Sequence, residues 1–256
     1  MKISLFVIFF VCLVSAQQTP GSQQELLNVF GSIGVGFKTG GQLITSTNFD
    51  ASGVPIKEED EFFNYGQGFK IDLGAQYLAM NNLGLQADFE ISLGAPGFET
   101  NDHFDLNDSS NSVKYTRNLF GIKFMVVPRF EVLELITMYT GVGLGFFWNS
   151  LHFEATAINP EGTTTEKGKI ISNPALGFTG LLGANYPLSD RFALFAELAF
   201  DQVSFKWKKR LIDETNIAGH RIGTTFYEED DPSNEAPLKV PGSNWQIRIG
   251  ARFSVL

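Results

Sequence analysis

Residues 243–256 read SNWQIRIGARFSVL. Trp245, Ile247, Ile249, Ala251, Phe253 and Val255 are apolar; Asn244, Gln246, Arg248, Gly250, Arg252 and Ser254 between them are polar or very small. Unbroken alternation of period two marks an extended strand with two chemically different faces. A soluble sheet would bury the apolar face and turn the arginines to water. Whether that is the arrangement here depends on what surrounds the strand.

Seven more segments upstream carry the same alternation. Val29, Ile33, Val35 and Phe37 alternate with Ser32, Gly34, Gly36 and Lys38, and Phe69, Ile71, Leu73, Ala75 and Tyr77 with Lys70, Asp72, Gly74 and Gln76. Leu85, Ala87, Phe89 and Ile91 stand against Gln86, Asp88 and Glu90; Phe120, Ile122, Phe124 and Val126 against Gly121 and Lys123. A fifth segment sets Val142, Leu144 and Phe146 against Tyr139-x-Gly141-x-Gly143-x-Gly145. A sixth runs from Leu176 to Tyr186, and a seventh sets Leu194, Ala196, Leu198 and Phe200 against Phe195, Glu197 and Asp201. The connections alternate in length. Residues 39–66, 95–112, 149–173 and 203–242 are long and polar, whereas Asn81-Asn82, Pro128 to Leu135 and Pro187 to Asp190 are short turns.

The chain opens with a different signal. Met1 to Ala16, MKISLFVIFFVCLVSA, has one lysine, a short apolar run and a small-residue cleavage site, the pattern of a Sec signal peptide. Its apolar run is well short of the ~20 residues of a spanning helix. Cleavage removes Cys12, the only cysteine, so the exported chain has no disulfide or thiolate chemistry. It also removes Lys2, taking the net charge from −9 to −10. An acidic chain without a basic stripe argues against nucleic acid as a partner.

An exported chain of eight two-faced strands with long and short connections in alternation predicts an all-β fold: a transmembrane, antiparallel, up-and-down β-barrel. Its apolar residues face lipid, its short turns the periplasm and its four long loops the exterior. Outward aromatics gather at strand ends, with Phe37, Phe69, Trp148, Phe200 and Trp245 at the outer edge and Tyr77, Tyr186 and Phe253 at the inner. The reading divides the chain into a signal peptide (1–16), a polar lead-in (17–27) and the barrel (28–256). A hairpin within 203–242 would raise the count from eight strands to ten.

Arg248-x-Gly250-x-x-Phe253-x-Val255 resembles the terminal signal that bacterial outer-membrane barrels present to their insertion machinery, with Leu256 where an aromatic usually stands. Together with the Tyr-x-Gly-x-Gly-x-Gly run, this makes the chain similar to the small OmpA/OmpX-type barrels, the porin-family-like outer membrane protein β-barrel domain family. The resemblance implies a Sec-exported, monomeric protein of a Gram-negative outer membrane. Its partners would be outer-membrane lipids, lipopolysaccharide and, during insertion, the barrel-assembly machinery.

An eight-stranded lumen is about wide enough for side chains to fill. The lumen-facing charges are Lys38, Lys70, Lys123, Arg248 and Arg252 against Asp72, Asp88, Glu90, Glu197 and Asp201. Charges in a low-dielectric interior need partners, so these ten predict a salt-bridge network. Lys206-Trp207-Lys208-Lys209-Arg210 is the basic cluster, placed to meet lipopolysaccharide phosphates through Lys206, Lys208, Lys209 and Arg210. His103, His152 and His220 fall in three different long connections and form no His-x-Ser pair of a lipid A deacylase and no Asp-x-His of an omptin protease. The acidic runs Glu58 to Glu61 and Glu228 to Asp231 lack the spacing of a defined calcium loop. The reading therefore expects no catalytic group, cofactor or metal, and a non-enzymatic barrel acting through its surface loops in envelope integrity or partner contact. A narrow porin for small or hydrophobic solutes is the alternative, and a lipid-modifying enzyme or protease the second.

Overall fold

The computed structural model describes residues 27–40, 42–49, 55–80, 82–94, 99–104, 109–133, 136–160, 162–217, 220–222, 225–228 and 239–255. The signal segment and the lead-in before Leu27 lie outside them, as do residues 229–231 of the second acidic run.

Eight long strands carry the architecture: β1 (Leu27–Lys38), β2 (Gly68–Met80), β3 (Leu83–Gly94), β4 (Ser109–Leu133), β5 (Ile136–Asn159), β6 (Ala175–Pro187), β7 (Phe192–Gln202) and β8 (Asn244–Ser254). Each pairs antiparallel with the next. β8 returns to β1 with Ile249 opposite Ile33, which closes the ring. Closure removes the sheet edges, so every strand finds its backbone partners within the protein, the condition a lipid environment imposes. Among the described residues no helix is long and apolar enough to cross a membrane.

One residue from each strand illustrates the outer surface. Ile33, Leu73, Phe89, Phe124, Leu144, Leu182, Leu198 and Ile249 are 42–59 % exposed. A continuous apolar belt of this kind is untenable in water and suited to lipid. Aromatics bound it at both ends. Trp245 stands in register with Phe37 on one side and Phe200 on the other, the Phe200 and Trp245 rings 4.9 Å apart. At the opposite end Phe253 is in register with Phe192, and Tyr77 lies opposite Leu27.

The long connections differ from the polar loops read in the sequence, because they are largely sheet. β4 and β5 have 25 and 24 residues, where ~9–11 suffice to cross a membrane with tilt. Beyond the outer aromatics they continue as a ribbon. Gly162–Ser172 turns back onto β5 and Ser204–Ile217 pairs with it in turn. Gly162 has φ 138°, which places a glycine where the hairpin turns. On the other flank Glu99–Phe104 pairs with β4, Gln42–Phe49 runs parallel to it, and Pro55–Phe63 follows. We refer to this sheet beyond the belt as the crest. Ser204–Ile217 does not enter between β7 and β8, so the ring has eight strands and not ten.

The crest escaped the sequence reading for a physical reason. On β5, Leu144, Phe146 and Trp148 face outward, whereas further on Leu151 and Phe153 are buried and His152 and Glu154 exposed. β7 and its continuation reverse in the same way, from outward Leu198 to buried Val203 and Phe205. The strand continues while its solvent changes from lipid to water, so the apolar parity inverts and reads as an ending. At the short-turn end, β4 likewise runs past Pro128 to Leu133, opposite Ile136, so the expected turn from Pro128 to Leu135 is tighter and later. Pro128 sits opposite Leu83 at the end of β3, where the missing N–H breaks little of the ladder.

Candidate functional site

Because alternate residues point inward, the lumen is built from the polar parity of eight strands, and it is layered. In the middle lies the charged layer. Lys70, Asp72, Asp88, Glu90, Lys123, Glu197, Asp201, Arg248 and Arg252 are all at most 4 % exposed. Glu90 sits between two ammonium groups, Lys70 and Lys123. Lys123 also reaches Asp201 at 2.9 Å, joining β4 to β7 across the lumen. Gln246 donates to Asp201 and to Glu90, and the Thr179 hydroxyl donates to Asp201 at 2.8 Å.

Arg248 is the second hub. Its Nη1 contacts Asp72 at 2.9 Å, its Nη2 contacts Glu197 at 2.6 Å, and Asp88 lies 3.9 Å away. The Tyr139 hydroxyl donates to Glu197 at 2.7 Å. Gly183 faces this tyrosine so closely that a Cβ there would lie 2.4 Å from the ring, so the glycine makes room for it. Asp88 accepts one hydrogen bond from Gln86 at 3.2 Å, and its Oδ1 has no protein partner.

Two residues of the expected network are elsewhere. Lys38 is exposed. It has the inward parity, but β1 ends there, opposite Asn244 and beyond the charged layer, where a long cation reaches water. Arg252 is buried but stands apart from the carboxylates. Its Nη1 donates to Gln76 at 3.1 Å, and the guanidinium lies 5.0–5.4 Å from the ring centres of Phe30, Tyr139 and Phe195. With Arg117, buried on the same inward phase higher on β4, the described interior holds five basic and five acidic side chains.

Above the charges lies an apolar plug. Tyr65, Leu119, Phe147, Leu151, Val203 and Phe205 form one buried cluster inside the crest, with Tyr65 and Phe205 edge to face at 5.4 Å. A second buried cluster packs Met125, Val127, Leu181 and Ala199 with Tyr139, and Ala199 lies between Glu197 and Asp201 on β7. Parity alone could have found Gln76, Gln86 and Gln246, which lie on the polar phase of their strands. Phe205 keeps the inward phase of β7, opposite in parity to Lys206 and Lys208, but the sequence places it in a long polar connection.

The remaining sequence candidates are scattered. Gly250 faces inward, where a Cβ would meet the Phe195 ring, while Phe253 and Val255 face outward, 45 % and 43 % exposed. Lys206 and Lys208 are exposed, and Lys206 stands in register with Lys239. Lys209 and Arg210 pair by backbone with Glu228 and Tyr227, and their side chains lie outside the described ones. His152 is exposed on β5; His103 and His220 are placed by backbone alone.

A closed ring of eight antiparallel strands, apolar outside and ion-paired inside, is a transmembrane β-barrel of the outer-membrane type. No family model matches the chain, and no curated protein matches it. Solved structures similar to it are of the same kind. A major outer membrane protein from Thermus thermophilus is 15 % identical, over 89 % of this chain and 98 % of that one, with a TM-score of 0.48. The outer membrane protein OprG from Pseudomonas aeruginosa is 10 % identical over 89 % and 94 %, TM-score 0.45, and Neisserial surface protein A is 10 % identical over 92 % and 100 %, TM-score 0.43.

Proposed function

We propose that the chain is a non-enzymatic, non-conducting barrel that acts at the cell surface through its crest. The observation that carries the reading is the layered interior. A solute crossing the lumen would have to part an apolar cluster sealed by Phe147 and Phe205 and then a hydrogen-bonded ion network. Neither layer resembles a hydrated channel wall, and both favour a rigid anchor under an extracellular sheet.

The crest also supports contact with lipopolysaccharide. Lys206 and Lys208 project outward beyond the aromatic edge, and Lys206 is opposite Lys239 across an antiparallel pair. Lys206 and Lys208, exposed on one outward face, present a cationic surface to an anion. A phosphate of the outer leaflet is the anion available at that height.

The test is electrical. Purified parent protein in planar bilayers should give no sustained conductance, and liposomes carrying it should not swell in small sugars. Steady ohmic steps would sink this reading and promote the narrow porin.

A further inference from the structure

We propose that the short-turn mouth of the barrel binds small organic monocarboxylates, gripped by the free edge of Arg252 and by the side-chain amide of Asn185. The turns there enclose a cavity of about 550 Å³, and both residues line it. That volume falls in the range of small-molecule sites.

Arg252 is an anomaly among the buried cations. Lys70, Lys123 and Arg248 each hold a carboxylate. Arg252, 3 % exposed, has no carboxylate within ion-pair distance among the described residues, and its Nε and Nη2 have no protein hydrogen-bond partner. Those two nitrogens form one edge of the planar guanidinium, the fork that takes both oxygens of a carboxylate. Three aromatic rings stabilise the charge from around it, but they do not satisfy two buried N–H donors. Asn185 repeats the pattern. It is 4 % exposed, and neither its amide nitrogen nor its oxygen has a protein partner.

Charge and lining select the ligand class. At the rim, Arg129 and Arg191 are offset by Glu131 and Asp190, so the unmatched contribution to the cavity is the single charge of Arg252. The charged layer beyond Arg252 sets five carboxylates against Lys70, Lys123 and Arg248, which disfavours a dianion such as phosphate. Leu78, Phe130 and Pro187 give the cavity an apolar flank for the body of an organic acid.

Butyrate is the probe, titrated into the full chain folded in detergent micelles with 15N-labelled arginine; the measurement does not depend on which side of the membrane the mouth faces. The Arg252 Nε–H resonance should shift and saturate, and sodium chloride at matched ionic strength should not reproduce the shift. Phosphate at mildly alkaline pH should need about tenfold more to reach the same shift. Arg252→Lys retains the charge and removes the fork, and should abolish butyrate binding as read by calorimetry. Asn185→Asp leaves Arg252 in place and adds a fixed carboxylate to the cavity. It should weaken butyrate about tenfold or more, and it decides the matter if Arg252→Lys fails to fold. The proposal is overturned by a non-saturating parent, by chloride matching butyrate, by phosphate binding tighter than butyrate, or by an Asn185→Asp variant that binds like the parent.

Discussion

The membrane belt and the crest are one continuous sheet with opposite polarity. In the belt, Leu144 and Leu198 face out and Glu197 and Lys123 face in; in the crest, His152 and Glu154 face out and Leu151 and Phe205 face in. The backbone crosses that boundary on β5 with its pairing to β4 uninterrupted. What changes is the solvent. Lipid rewards an apolar exterior and leaves the narrow lumen to charges that must satisfy one another, whereas water above the membrane restores the ordinary arrangement of a soluble core. One strand can obey both rules only by inverting its pattern at the interface.

The comparison is broken most severely in the charged layer. Arg248→Met leaves Asp72 and Glu197 without their direct cation and Asp88 without its nearest one. Breaking a buried pair by removing one partner costs about 3–5 kcal/mol, so the variant should lose heat-modifiable gel migration at markedly lower temperature than the parent. Glu197→Gln should cost less, because Arg248 keeps Asp72. The Glu197→Gln, Arg248→Met double variant should cost less than the sum of the two, although full rescue is not expected while Asp72 stays unpaired. Strict additivity in unfolding measurements would show that the layer is wet and not a network.

A smaller effect tests the inversion itself. Leu198→Lys puts a charge on the lipid face, where the cost is about 2–4 kcal/mol at the membrane midplane. His152→Lys puts the same charge on the outer face of the crest, where an exposed substitution should fall within about ±0.5 kcal/mol. Equal stabilities in urea titrations of the two refolded variants would mean that the belt and the crest share one environment.

The same contrast explains what was legible in the sequence. Face follows from parity wherever the solvent is constant, so the eight belt strands and their closure into a ring could be read from residues such as those in SNWQIRIGARFSVL. Height does not follow from parity, which is why Lys38 has the inward phase yet lies in water. Partner choice is legible only between sequence neighbours. Glu197 opposite Arg248 is a neighbour pair, but Lys123 with Asp201 joins strands that touch only because the ring is narrow. Above the membrane the parity reversed, and Phe205, an element of the plug, read as part of a solvated loop. Arg252 had the phase of the network, and only the three rings around it reveal its separate position.

The smallest expected effect on stability is also the one that separates recognition from folding. Phe253 lies on β8 near the inner edge of the belt, in register with Val29 and Phe192, with its ring outward. A charge this close to the interface costs only about 0–1 kcal/mol, so purified Phe253→Asp should refold in micelles with nearly parental stability. If Arg248, Gly250, Phe253 and Val255 form the assembly signal, the same variant in cells should fail to insert and be degraded in the periplasm. A defect in cells beside normal refolding in vitro assigns the loss to recognition by the insertion machinery. Normal insertion would instead show that Phe253 is only one more aromatic at the membrane edge, and poor refolding would place the effect in the barrel seam between β8 and β1.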